Sequence, residues 1–266
     1  LWHSSAASDV YKRQPIKFYK NIDGKFSEDT SLIDVDSTRG WWYDIVAEDF
    51  DKDGDMDLVI GNLGNNYKYQ TSGDETFDIF YNDFDQNNTG DIVLSYYNDG
   101  EQYPLRGRQC SSEQIPAIKM KFQDYDAFSI ATLEDVYTEP ALENSLHYFS
   151  KTFSSVYLEN TGNSFNMSKL PPLTQLSSIN KILKKDIDKD GYIDIVVSGN
   201  MYNSEVETPR NDASVGVYLK FTPDFGFEAV PTQKSGLFIN GDVKDMEFIS
   251  FNENEYDESY KFFRKL

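Results

Sequence analysis

Two stretches of this chain place aspartates on alternate positions and then turn directly into an apolar run. AEDFDKDGDMDLVIGN, from Ala47 to Asn62, carries Asp49, Asp51, Asp53, Asp55 and Asp57. KKDIDKDGYIDIVVSGN, from Lys184 to Asn200, carries Asp186, Asp188, Asp190 and Asp194, with Tyr192 on the remaining alternate position. So much like charge in one short loop opposes a compact backbone unless a cation gathers it. Counted from the first aspartate, both copies are acidic at positions 1, 3, 5 and 9, and Gly54 or Gly191 stands at position 6. Alternate residues of a tight loop can aim their oxygens at one centre, and the glycine allows the left-handed backbone that lets position 7 offer its carbonyl. Position 7 therefore needs no carboxylate, and Asp55 and Tyr192 serve equally. Calcium accepts such a shell of six or more oxygens, whereas magnesium holds its waters and demands stricter octahedral geometry, so Ca2+ is the expected occupant.

A third copy lies between them. In NDFDQNNTGDIVLSYY, from Asn82 to Tyr97, Asp83, Asp85, Asn87, Thr89 and Asp91 fall at positions 1, 3, 5, 7 and 9, but the glycine has moved to position 8. Asn88 takes position 6, and asparagine tolerates positive φ, so this loop can still close. With one charge fewer among its side-chain ligands, its affinity is expected to be lower. An EF-hand opens in the same way but needs a bidentate glutamate at position 12 and a helix on each side. Position 12 is Ile60, Leu94 and Val197 in the three copies, and the run after each loop is short and rich in β-branched residues. The loops are therefore expected inside β-hairpins. Aspartates that merely populate solvated turns stay an open alternative, above all for the third copy.

The chain's 45 acidic residues against 25 basic ones give a net charge of −20, which repels phosphate backbones and anionic lipid surfaces. Nucleic acid is excluded as a partner on this ground. No run of about 18 apolar residues occurs, so no membrane insertion is expected. One cysteine, Cys110, excludes an internal disulfide and leaves the compartment open. The chain begins at Leu1, and its opening LWHSSAASDVYKRQ resembles adaptor read-through at the end of an assembled sequence. Residues 1–14 are set aside on that basis, and the chain is expected to be a fragment.

Each complete copy is preceded by a turn-rich hairpin, KFYKNIDGKFSEDT from Lys17 to Thr30 and SVYLENTGNSFNMSKLP from Ser155 to Pro171. Short strands separated by Gly, Asn and Asp turns in a repeated unit point to a radial or stacked β architecture. GWWYDIVAEDFDKDGDMDLVIGN and DIDKDGYIDIVVSGN resemble the FG-GAP/VCBS repeats of integrin α-subunit propellers and, more closely, of large bacterial surface proteins. The resemblance covers nearly all of residues 15–250. It implies an all-β fold, a partial β-propeller of four-stranded blades, with calcium held between the first two strands of a blade by the positions named above. The family's Gly-Ala-Pro landmark is missing, since Asn62 and Leu63 follow Gly61. Propeller blades are thus expected over 15–103 and, truncated, over 154–266. Between them, 104–153 is read as a helical insertion, because Leu142, Leu146, Phe149 and Phe153 recur at helical spacing behind Thr138 and Pro140.

Other chemistry finds less support. Cys110 and His147 lack a recognisable third orienting group, and His147 is the sole imidazole outside the tract set aside. Carboxylate pairs of the glycosidase kind carry no information in so acidic a chain. The aromatic pairs Trp41–Trp42 and Tyr96–Tyr97 suit alternating core packing better than sugar stacking. The expectation is a calcium-binding, extracellular, cell-surface or periplasmic scaffold for adhesion or for binding a protein or glycan ligand, and not an enzyme. The alternative is a carbohydrate-active enzyme or glycan-binding component built on the same calcium-stabilised propeller.

Overall fold

The computed structural model describes residues 13–204 and 208–248. Its regular structure is mostly antiparallel β-sheet with a few short helices. β1 (Tyr19–Ile22) and β2 (Lys25–Glu28) form a hairpin whose turn residues Asp23 and Gly24 have φ of 51° and 81°. Such left-handed pairs match the twist of the flanking strands. β3 (Asp44–Glu48) and β4 (Asp57–Gly61) pair across the first acidic loop, with Val46 opposite Val59. β5 (Phe77–Asn82) and β6 (Asp91–Asn98) pair across the third copy, followed by β7 (Glu101–Pro104). After the helices comes β8 (Leu146–Ser150), then β9 (Val156–Asn160) and β10 (Phe165–Lys169). β11 (Ile179–Lys185) and β12 (Asp194–Gly199) pair across the second acidic loop, and β13 (Val217–Thr222) and β14 (Gly226–Val230) complete that sheet.

The chain divides into two units. One contains the sheets β10-β9-β4-β3 and β11-β12-β13-β14 and the β1-β2 hairpin. In the first of these sheets the third strand arrives only after residues 62–155, whereas the second is an uninterrupted meander. Phe50, Val59, Ile182, Ile195, Val197, Leu219 and Phe221 build their shared core. On the opposite face of β12, Val196 packs with Ile239, Val243 and Met246. Being covered on both sides, β12 reads as an unbroken apolar run instead of an alternation. The Gly-Asn pair that ends each run also has a physical cause. A Cβ on Gly61 would collide with the Ile179 carbonyl, and one on Gly199 with the Ser178 carbonyl. The buried asparagines then bind the chain ahead of the next strand: Asn62 Nδ2 donates to the Ser154 carbonyl at 3.2 Å, and Asn200 Nδ2 to that of Ser214 at 2.9 Å.

The other unit holds the sheet β7-β6-β5-β8. Short helices at Arg108–Gln114, Ala117–Lys121, Tyr125–Ser129, Leu133–Tyr137 and Glu139–Glu143 share one core with that sheet through Phe80 and Val93. On the other face, Phe77 stacks on Tyr69 at 4.4 Å and meets Trp41 edge-on. Of the tract set aside, residues 1–12 lie outside the described residues, and so does the end of the chain from 249. Arg13 is buried with its guanidinium 4.7 Å above the Trp41 ring. The helix expected to run on through Phe153 stops at Glu143, and Leu146–Ser150 is a strand, with His147 opposite Phe80. The spacing of Leu142, Leu146, Phe149 and Phe153 suits a helix, but Asn144 and Ser145 end it, and the aromatic stretch after them is better used at the free edge of β5.

Gly199→Ala tests the close approach at the end of β12. Because the Ser178 carbonyl is backbone and cannot turn aside, the variant should lose about 1–3 kcal/mol in denaturant unfolding. Lys25→Ala on the exposed hairpin should stay within about 0.5 kcal/mol.

Candidate metal centres

All three acidic loops share one backbone trace. Position 4 is left-handed in each, at Lys52 (φ 65°), Gln86 (60°) and Lys189 (63°). Position 6 is left-handed too, at Gly54 (101°), Asn88 (66°) and Gly191 (93°). Asparagine thus does in the third copy what glycine does in the other two. Gly90, the displaced glycine, answers a packing need, since a Cβ there would run into the Tyr81 ring. The position 1 carboxylate accepts the position 6 N–H in every loop: Asp49 from Gly54 at 3.2 Å, Asp83 from Asn88 at 2.8 Å, Asp186 from Gly191 at 3.0 Å. Position 3 accepts from position 5, and position 5 from position 7.

These turns bring carboxylate oxygens together in three groups, Asp49 with Asp51 and Asp53, Asp83 with Asp85 and Asp91, and Asp186 with Asp188 and Asp190. Within each group the oxygens lie within 4.8 Å of one another. Two oxygens bound to one calcium at about 2.4 Å can be no farther apart than about 4.8 Å, so the spacing fits one ion. Oδ1 of Asp49, Oδ1 of Asp186 and Oδ1 of Asp55 are buried without a hydrogen-bond donor. Leaving a carboxylate oxygen so uncompensated is costly, and a cation removes the cost. Burial pushes the Asp51 carboxyl above its ordinary range, with repulsion from Asp57, Asp53 and Asp49 adding to it. Asp55 is raised in the same way, by desolvation and then by Asp53 and its neighbours.

Position 9 behaves differently in the two complete loops. Asp57 and Asp194 are fully buried and belong to neither carboxylate cluster. Asp57 accepts from Phe50 N–H, from Asn160 N–H at 2.8 Å and from the Tyr157 hydroxyl at 2.7 Å. Asp194 accepts from Ile187 N–H, from Phe221 N–H at 3.1 Å and from the Tyr218 hydroxyl at 2.9 Å. Both tyrosines are held protonated, first by burial and then by the carboxylate acceptor. In the third copy Asp91 accepts from Phe84 N–H and joins the carboxylate cluster, and burial raises its carboxyl. The tripeptide VYL, at Val156–Leu158 and again at Val217–Leu219, is the sequence signal for the two tyrosines. Asn87, Thr89 and Tyr192 donate backbone N–H groups within their loops.

Elsewhere, His147 Nε2 lies 2.6 Å from Asp78 Oδ1, and its ring stacks on Phe80 at 4.2 Å. Cys110 lies on the helix Arg108–Gln114. Trp41 is buried, and Tyr96 is exposed and lies near Tyr103. Comparison with known proteins returns no matching family model, no similar curated protein and no similar solved structure.

Removing the hydroxyl in Tyr157→Phe should destabilise the chain by about 1–3 kcal/mol in denaturant, since a buried charged acceptor loses a donor. Asp51→Asn keeps the Oδ1 acceptor for Asp53 N–H but takes away one like charge. In chelator its unfolding midpoint should rise above that of the parent.

Proposed function

We propose that this chain is a calcium-stabilised β scaffold of the FG-GAP/VCBS kind, working where calcium is near millimolar, outside the cell, at its surface or in the periplasm, and presenting a surface to a protein or glycan ligand. The observation that carries the reading is the common geometry of the three loops, in which the same turns converge carboxylates within the diameter of one calcium shell and leave Oδ1 of Asp49 and Asp186 without a donor. Two four-stranded antiparallel units, each with its acidic loop between the first two strands, support an interpretation as propeller blades. Among the described residues no helix is long and apolar enough to cross a membrane. Asp49, Asp51 and Asp53 would hold an ion in the first loop, and Asp186, Asp188 and Asp190 in the second. Calcium would supply charge compensation there and fix the ends of the hairpins.

For an assumed Kd of about 0.1 mM, about 2 mM calcium stabilises the folded chain by about 1.8 kcal/mol per filled loop. Thermal unfolding in calcium, magnesium and chelator tests this. Calcium should raise the midpoint and magnesium should raise it less, while Asp51→Ala should lose the share of the gain that belongs to the first loop. A midpoint that calcium leaves unmoved, or that magnesium raises equally, would refute the calcium reading.

A further inference from the structure

Tyr157 and Tyr218 mark equivalent places beside the two complete loops, because each donates its hydroxyl to the position 9 aspartate from the third strand of its sheet. Two residues farther along those strands, and so on the same face, stand Glu159 and Lys220. Opposite charges therefore occupy corresponding positions next to two otherwise matching loops. Lys220 Nζ pairs with Asp188 Oδ2 and, at 2.9 Å, with Asp190 Oδ2, which are the position 3 and position 5 side chains of the second loop. That contact holds the Asp190 carboxyl below its ordinary range. A second cation stands close by, with Lys52 Nζ 4.2 Å above the Tyr192 ring. Among the described residues no lysine or arginine ion pair reaches Asp49, Asp51, Asp53 or Asp55. There the corresponding strand residue, Glu159, adds to the negative field around Tyr157.

We propose that Lys220 is the resident counter-cation of the second loop, so that this loop is partly neutralised from within while the first depends on a bound divalent ion. The inference rests on the calcium reading of both loops and adds a difference between them. An ion entering the second loop has to take Asp188 and Asp190 from Lys220, whereas an ion entering the first displaces no ammonium. Calcium affinity should therefore be lower at the second loop, and metal-free stability should be lost mainly at the first.

Thermal unfolding of the whole chain, in chelator and in about 2 mM calcium, tests the proposal on two variants. Lys220→Met keeps the apolar stem and removes the charge; Glu159→Lys gives the first loop an ammonium of its own. Lys220→Met should lower the midpoint in chelator and enlarge the rise on adding calcium, with binding at the second loop tighter by about two- to fivefold. Glu159→Lys should do the reverse, raising the midpoint in chelator and shrinking the rise. If Glu159→Lys does not fold, Glu159→Gln should move both readings in the same directions by less. The proposal is overturned if Lys220→Met loses equally in chelator and calcium, or changes neither midpoint. The calcium reading fails separately, in the parent, if calcium does not move its midpoint. Even then, a lower midpoint of Lys220→Met in chelator would support Lys220 as the counter-charge of the second loop, and an unchanged one would overturn it.

Discussion

A fully buried aspartate fastens each complete acidic loop to the strands beneath it. Asp57 and Asp194 each collect a donor from their own loop, a backbone N–H from beyond the hairpin and a tyrosine hydroxyl from the third strand. Hydrogen bonds to a charged acceptor are short and strong, and three of them offset part of the cost of burying a carboxylate, with burial still raising the Asp194 carboxyl. This division of labour lets the loop hold its shape while the aspartates at positions 1, 3 and 5 crowd together. Shape is thus a matter of hydrogen bonding, and the crowding is what remains for an ion, or for a lysine, to relieve.

The same logic extends to the ends of the strands. Gly61 and Gly199 let the backbone approach Ile179 and Ser178, while the Asn62 and Asn200 side chains donate to the carbonyls of Ser154 and Ser214 ahead of the next strand. Loop, apolar strand, Gly-Asn and VYL strand together make a repeated device with its polar anchors at both ends and its apolar content between. What varies between copies is charge at the periphery, as at Glu159 and Lys220, and not the anchoring.

Much of this was legible in the chain itself. The alternating aspartates, the left-handed position 6 and the β-branched runs after each loop are local features, and local features survive into the structure; Asn88 closes its loop much as glycine does in the other two. The role of position 9 was not legible, because spacing alone makes Asp57 look like Asp53, and only the distant Tyr157 and Asn160 distinguish them. The left-handed position 4 was hidden for a related reason, as Lys52, Gln86 and Lys189 are not residues that advertise positive φ. The segment after Leu142 misled because apolar spacing of three and four does not register what an unpaired strand edge can offer to an aromatic stretch.

The long excursion between β4 and β9 gives the two sheets of this unit different costs of closure. β11 to β14 pair with immediate sequence neighbours, and the longest connection in that sheet is residues 200–216, between β12 and β13. β4 must wait for a partner that lies beyond residues 62–155, and closing so long a segment carries an entropy cost that grows with its length. That cost falls by about 1 kcal/mol once the intervening β5 to β8 sheet has formed and set Phe77 opposite Ser150. The β3-β4 hairpin therefore gains its third strand at least entropic cost when the inserted unit is already formed.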